Sequence, residues 1–191
     1  LLITAYSLLL HKISNDCDFA IGTPVAGRSL SQVEQTIGCF INTLALRFEL
    51  SPTQSFSEFL ALQTKNIGQA FKHQDMPFEN IVNKLDVPRD TLVTPVFQTL
   101  FVLQNTPFSE QKLEGLSITP RPAPQQAAQF DLSLSAQAYQ GELVLNFQYK
   151  QSLFEAQHIK QLGKQFTELL TQICQNPDEK ISQLHLISEQ D

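Results

Sequence analysis

The stretch Phe19 to Leu50, FAIGTPVAGRSLSQVEQTIGCFINTLALRFEL, constrains the fold more than any other part of the chain. Both of its ends read as strands, Phe19 to Val25 and Thr43 to Leu50. In the second, Leu44, Leu46, Phe48 and Leu50 fall on one face, while Ala45, Arg47 and Glu49 fall on the other. The segment between the strands carries little charge, and Gly22, Gly27 and Gly38 let this region take turns that a Cβ would forbid. A low-charge loop slung between sheet strands suits the wall or floor of a cavity. The plainer alternative is an ordinary connection, and spacing alone favours it.

The rest of the chain supplies what such a sheet packs against. Leu1 to Ser14 reads as a helix that is apolar nearly all round, hence buried, and Asn15-Asp16 ends it. Three spacings, Ser31 to Glu34, Ser55 to Glu58 and Ser152 to Glu155, read as capping boxes. The second introduces Phe56, Phe59, Leu60, Ile67, Ala70 and Phe71 at helical spacing as far as His73. The third introduces Ile159, Leu162, Phe166, Leu169, Leu170 and Ile173, up to Asn176-Pro177. Asp75-Met76-Pro77 reads as the N-cap and first turn of a further helix, stopped by Pro88. Val96 to Leu103 is apolar on both faces and is expected to be a central strand covered on both sides. Pro107 to Gln129 reads as irregular, with a short strand near Leu116 to Thr119. Phe130, Leu132, Leu134, Ala136 and Ala138 alternate inward. Leu143, Leu145, Phe147 and Tyr149 alternate back after Gln140-Gly141, which makes an antiparallel hairpin. The sum is an α/β chain, a mixed sheet with helices packed against it.

A chain of 191 residues is one domain or half of a larger one, and 42 % apolar residues with 14 Phe can build a real core. The net charge of −6 without a basic cluster excludes a nucleic-acid footprint. The opening LLITAYSLLL is too short to span a bilayer, so no membrane partner is expected. It starts without Met and inside a helical pattern, so a cut at residue 1 is expected. Cys17, Cys39 and Cys174 have neither disulfide nor metal spacing and read as buried thiols of a reducing, cytoplasmic compartment.

Few residues carry chemistry. Gly22-Thr23-Pro24-Val25-Ala26-Gly27-Arg28-Ser29 nearly spells a phosphate-binding loop, but Arg28 replaces the lysine and Pro24 removes an amide donor. Arg28 is then a surface ion pair with Asp18 or Glu34, or a bidentate partner for a carboxylate supplied from elsewhere. His73-Gln74-Asp75-Met76-Pro77-Phe78-Glu79 puts an imidazole beside two carboxylates, which could serve as base and orienter. Structural roles explain the pair better, with Asp75 as N-cap and His73 as the polar end of a helix. His11, His73, His158 and His185 are isolated from one another, so no metal is expected. Asp131 reads as a solvated or turn-bonding residue on a polar strand face.

Taken together, four stretches resemble the condensation domains of nonribosomal peptide synthetases. They are Asp18 to Arg28, Ile37 to Arg47 (IGCFINTLALR), His73 to Glu79 (HQDMPFE), and Arg89-Asp90 followed by Pro95 to Gln98 and Phe101 to Asn105. Leu184 to Glu189 resembles the segment leading into an adenylation domain. The sequence departs from the family at Leu92-Val93-Thr94, where a Ser-Arg pair is common, and near Ser152, where an Asp is usual. The resemblance implies a chloramphenicol-acetyltransferase-like fold of two α/β halves with a tunnel between them. The family's HHxxxDG motif has no counterpart here, so the chain resembles the C-terminal half, residues 1–179, with 180–191 as a linker. No catalytic residue carries over, and the half is expected to be inactive alone. Gly22, Thr23, Pro24, Gly27, Asn42 and Thr43 would belong to the floor loop under the tunnel. His73, Gln74, Asp75, Pro77, Phe78 and Glu79 form a further motif. Arg28 would hold the catalytic loop of the missing half through its Asp. Pro107 to Gln129 would lie near the crossover that latches the halves. The implied partners are the N-terminal half, peptidyl carrier proteins and a downstream adenylation domain. No cofactor is bound directly; carrier proteins deliver phosphopantetheine arms. The rivals are a related epimerisation or cyclisation domain, a stand-alone acyltransferase of the same fold, and a non-catalytic interaction module.

Overall fold

The computed structural model describes residues 1–87, 93–104, 116, 127–139 and 141–186. Its element order is α1 (Leu2–Ser14), β1 (Asp18–Val25), β2 (Asn42–Glu49), α2 (Phe56–Lys72), α3 (Phe78–Leu85), β3 (Thr99–Gln104), β4 (Leu132–Tyr139), β5 (Glu142–Tyr149) and α4 (Ala156–Gln175). The strands form one mixed sheet in the order β2-β1-β3-β4-β5. The outer pairs β1–β2 and β4–β5 are antiparallel, and β3 runs parallel to both of its neighbours.

Alternation decides which face of the sheet is core. Ile21, Leu44, Leu46, Phe48, Phe101, Leu132, Leu134 and Ala136 are buried together with residues of α1, α2 and α4. α1 is the centre of that layer. Its Tyr6 is fully buried, ringed by Phe101, Phe147 and Phe166, and its hydroxyl shares a 2.6 Å hydrogen bond with Thr99 Oγ1. Burial pushes that hydroxyl well above the usual tyrosine range, so it stays neutral. Asn15 ends α1 in the left-handed conformation, φ 61°, as its short polar side chain allows.

Several expectations need correction. β3 is central but starts at Thr99, and it is not covered on both faces: Leu100 and Val102 are half-exposed and Leu103 is 53 % exposed. Val96 instead takes φ 72°, and the Phe97 amide donates to the Pro95 carbonyl at 2.9 Å, a γ-turn that swings Phe97 off the strand line. Phe130 does not point inward with Leu132; its ring stacks on Phe97 at 5.6 Å. Only the Ser55–Glu58 capping box forms. Ser31 starts a single 3-10 turn, and α4 begins at Ala156 with Glu155 at its N-cap and no side-chain cap bond. The three cysteines are exposed, not buried. Residues 180–186, the first part of the stretch expected to be a linker, pack onto the body. Ile181 and Leu184 are buried, and the Ile181 amide donates to the Gln54 carbonyl at 3.0 Å. The expected stop at Pro88, the Arg89-Asp90 motif, most of Pro107 to Gln129 and Gln140 of the hairpin turn lie outside the described residues.

Candidate functional site

The second face of the sheet carries the candidate site. At its β1 end Gly22 pairs with Ala45 and Leu100, and the Phe97 ring lies directly on its backbone. A Cβ built on Gly22 would come within 2.2 Å of that ring. Phe78, from the first turn of α3, packs against Phe97 at 5.3 Å between centroids. Toward β4 and β5 the same face opens into a hollow of about 260 Å³, lined by Leu100, Val102, Ser133, Ser135, Asn146 and Gln148 among others. Among the described residues its lining holds no charged side chain. At the strand ends Asp131 and Lys150 form a half-buried ion pair at 2.7 Å, so of the two readings of Asp131 the solvated one is corrected.

The loop between β1 and β2 is organised by Arg28. Its guanidinium donates to the carbonyls of Val33, Glu34, Thr36 (2.8 Å) and Gly38 (3.1 Å), and its Cζ lies 4.5 Å from the centre of the Phe40 ring. Arg28 makes no ion pair among the described residues. The expected pair with Asp18 is therefore wrong. Asp18 is held by Arg47 at 2.7 Å, and that hydrogen bond lowers its carboxyl below the usual range. Glu34 meets Arg28 only through its carbonyl. Gly27 has φ 63° and leaves room for the Phe40 carbonyl, which would sit 1.8 Å from a Cβ there.

Two side chains, Asn42 and Ser29, join this loop to the His73–Glu79 turn. The Asn42 Nδ2 amide donates to the carbonyls of Gln74 and Met76, both at 2.7 Å. The Asn42 Oδ1 accepts from the Phe78 amide at 3.2 Å. Ser29 Oγ donates to Asp75 Oδ1 at 3.3 Å. Asp75 is thus not the N-cap of α3; Pro77 occupies that place, and Asn42 supplies the acceptor a cap would have offered. His73 is the C-cap of α2, as read. Thr23 is buried in β1, Pro24 pairs with Thr43, and Glu79 lies in the acidic first turn of α3.

His73 and Asp75 border a hollow of about 400 Å³ with Lys72, Leu44, Ala45, Ala70, Met76 and Ile81. Among the described residues that lining holds no hydroxyl or thiol of its own. A second imidazole, His11, does lie near a thiol, 3.8 Å from Cys17 Sγ. Its Nδ1 lies 2.8 Å from the Asp16 carbonyl, which can only accept, so Nδ1 carries the proton and cannot take one from the thiol. Among the described residues no cluster of ligating side chains could hold a metal, and no helix is long and apolar enough to cross a membrane. The sequence reading found the loop and the turn as separate motifs. It placed Phe97 in the fourth motif without its packing on Gly22, and it missed the joining role of Asn42.

A mixed sheet with one helical layer and a loop-bearing second face defines the chain as an α/β layer of the chloramphenicol-acetyltransferase type, the fold shared with solved condensation domains. The family model "Condensation domain" matches residues 1–191, and the chain belongs to that family. It is 38 % identical over 188 residues to tyrocidine synthase 3 of Brevibacillus parabrevis, covering 98 % of this chain and 3 % of that protein. The chain thus spans a small fraction of that relative. It superposes with a TM-score of 0.90 on holo-AB3403, a four-domain nonribosomal peptide synthetase bound to AMP and glycine, at 28 % identity over 98 % of this chain and 15 % of that one. The condensation domain of the Monacolin K polyketide synthase MokA matches with a TM-score of 0.84 and 21 % identity, over 94 % of this chain and 42 % of that one.

Proposed function

We propose that the chain is the C-terminal half of a nonribosomal peptide synthetase condensation domain and is inert without the other half. One observation carries this reading. The family match runs through the whole chain, yet the match covers 42 % of a solved condensation domain, and none of the four histidines here adjoins another. The complementary half would bring the HHxxxDG motif.

The reaction is acyl transfer between carrier proteins. The amine of an aminoacyl thioester attacks the carbonyl of a second thioester; a C–N bond forms, the C–S bond breaks, and the amine proton ends on the departing thiol. This chain would supply one wall of the passage. The hollow over β3, β4 and β5, uncharged among its described lining residues, suits the neutral pantetheine part of the arms, since its hydroxyls and carboxamides can meet the pantetheine amides. The loop held by Arg28 would form the floor, and Gly22, Thr23, Pro24, Gly27, Asn42 and Thr43 would fix where it leaves and rejoins the sheet. Arg28 would support the catalytic loop of the other half, directly through the Asp of the missing motif or through the floor it shapes. An adenylation domain would follow downstream.

The test is complementation. This chain is mixed with the N-terminal half of the matching tyrocidine synthase 3 domain and with loaded carrier proteins, and peptidyl product is followed by mass spectrometry. Product is expected only from the mixture. Arg28→Ala is expected to lower its rate about 10- to 100-fold, the effect of a misplaced reacting group. An inactive mixture sinks the half-domain reading; an unchanged rate for Arg28→Ala sinks the support role alone.

A further inference from the structure

The two edges of the sheet are finished differently. β2, at one edge, is guarded. α3 packs against it, and its exposed Arg47 holds Asp18 and Glu49 in ion pairs at 2.7 and 3.0 Å. Charges and covering elements of this kind keep an edge from pairing with another chain. β5, at the other edge, has neither. It runs for eight residues in regular register with β4, with no proline and no lysine from Glu142 to Tyr149. Its single charged residue is the first, Glu142. Leu143 is 45 % exposed and Val144 46 %. Among the described residues no strand lies beyond it.

The ladder to β4 fixes which backbone groups are open. The Lys150 amide donates to the Asp131 carbonyl at 3.0 Å, and the Asn146 carbonyl is turned toward Ser135 of β4. Antiparallel bonds alternate along a strand, so Glu142, Val144, Asn146 and Gln148 bond toward β4. Leu143, Leu145, Phe147 and Tyr149 then aim their amides and carbonyls out of the edge. Charge selects the strand that fits there. A second copy, turned about a two-fold axis through Asn146, offers the same edge in antiparallel sense. Leu143 then meets Tyr149 of the second copy and Leu145 meets Phe147, so each open amide faces an open carbonyl. The same register sets Glu142 opposite Lys150 of the second copy, at both ends of the pair. Lys150 has three N–H donors and Asp131 takes one at 2.7 Å, so it can serve both carboxylates. A shift by two residues sets Glu142 against Gln148 and leaves Lys150 unmatched. A shift by one sets core-facing side chains against the open face.

We propose that β5 is a self-complementary interface, and that two copies of this chain join edge to edge through it with Asn146 on the two-fold axis. One sheet then runs through both copies and ends at a guarded β2 on either side. The proposal does not depend on the half-domain reading, since β5 and the loop between β1 and β2 belong to opposite ends of the strand order.

Sedimentation equilibrium of the chain alone tests the association, and cross-linking tests the register. The unaltered chain is expected to form a dimer whose population rises with concentration. Glu142→Lys sets like charges together at both ends and should weaken the dimer about tenfold or more. Its circular dichroism should match that of the unaltered chain, because Glu142 is exposed. For the register, the exposed Cys17, Cys39 and Cys174 are first changed to Ser. An axis residue between hydrogen-bonded pairs meets its own copy at a Cα separation of about 4.5 Å, within disulfide reach. Asn146→Cys in that background should therefore cross-link under mild oxidation. Val144→Cys should not, since its two copies stand about 13 Å apart along the strands. A chain that is monomeric at every concentration overturns the interface and leaves the half-domain reading standing. A dimer untouched by Glu142→Lys, or one that cross-links through Val144→Cys and not Asn146→Cys, forms elsewhere or in another register and also overturns it.

Discussion

Asn42 is used from both ends of its carboxamide, donating twice and accepting once, and each partner is a main-chain atom 32 to 36 residues away. No other side chain of its length offers that combination. Aspartate keeps the acceptor but sets a carboxylate against the carbonyls of Gln74 and Met76. In Asn42→Asp those carbonyls raise the carboxyl's folded pKa above its unfolded value. The penalty is therefore small below the ordinary carboxylate range, where the proton can restore a donor. It grows as pH rises through the raised folded pKa and then levels off. The loss near neutral pH should be about 1–2 kcal/mol, the lower part of the cost of unpaired polar groups, because these are only half-buried. Urea unfolding of both proteins from pH 4 to pH 8 checks it, and a gap independent of pH rejects the explanation. The sequence exposed such residues without their contacts. Arg28 stands out in a glycine-rich turn, but a backbone carbonyl has no letter of its own, so a carboxylate partner was the natural guess. Asn42 was legible as part of the loop and not as the pin that holds it.

Elements were read best where an apolar repeat and a local signal agreed. α2 has both: Ser55 and Glu58 form a reciprocal capping box, and Phe56 and Phe59 fall into the core directly after it. Ser31–Glu34 has the spacing without an apolar helix to follow. At Ser152–Glu155 the chain is still turning, with the amides of Leu153 and Phe154 both bound to the Lys150 carbonyl. Alternation fixed β4 and β5 to the correct register, Ala138 opposite Leu143 and Leu134 opposite Phe147. It misread the entry to β3, because a γ-turn at Val96 is decided by where Phe97 must go, and that place is the bare backbone of Gly22. Gly22→Ala should therefore displace the Phe97 ring, which is 1 % exposed, and cost about 1–3 kcal/mol by overpacking. Adding Phe97→Leu should return part of that loss. A double-mutant cycle from urea unfolding measures the coupling, and additive losses would mean that the ring is not what forbids a side chain at Gly22.

On the scale of the whole molecule the sheet has two unlike faces, and hydrophobicity alone could not separate them. Leu100 and Val102 are as apolar as Phe101, so the sequence implied helices on both sides of β3. The packed helices α1, α2 and α4 bury only the Phe101 side. Leu100 and Val102 border the open hollow instead, with Ser133, Ser135, Asn146 and Gln148. If carrier-bound substrates travel along that face, filling the hollow should stop transfer without touching the core. Ser135 is a fit position. It lies between the buried residues Leu134 and Ala136, points away from the core, and gives up only a long 3.5 Å hydrogen bond to the Asn146 carbonyl. Ser135→Trp places a large ring in about 260 Å³ of open space on a strand that tolerates aromatics. In the complemented domain it should cut amide formation by an order of magnitude or more, the scale of a misplaced substrate. The isolated chain's melting temperature should shift by no more than about 2 °C, the scale of a surface change within 0.5 kcal/mol. Full activity with the tryptophan in place would mean that this face meets solvent or a static partner, and that the substrates pass elsewhere.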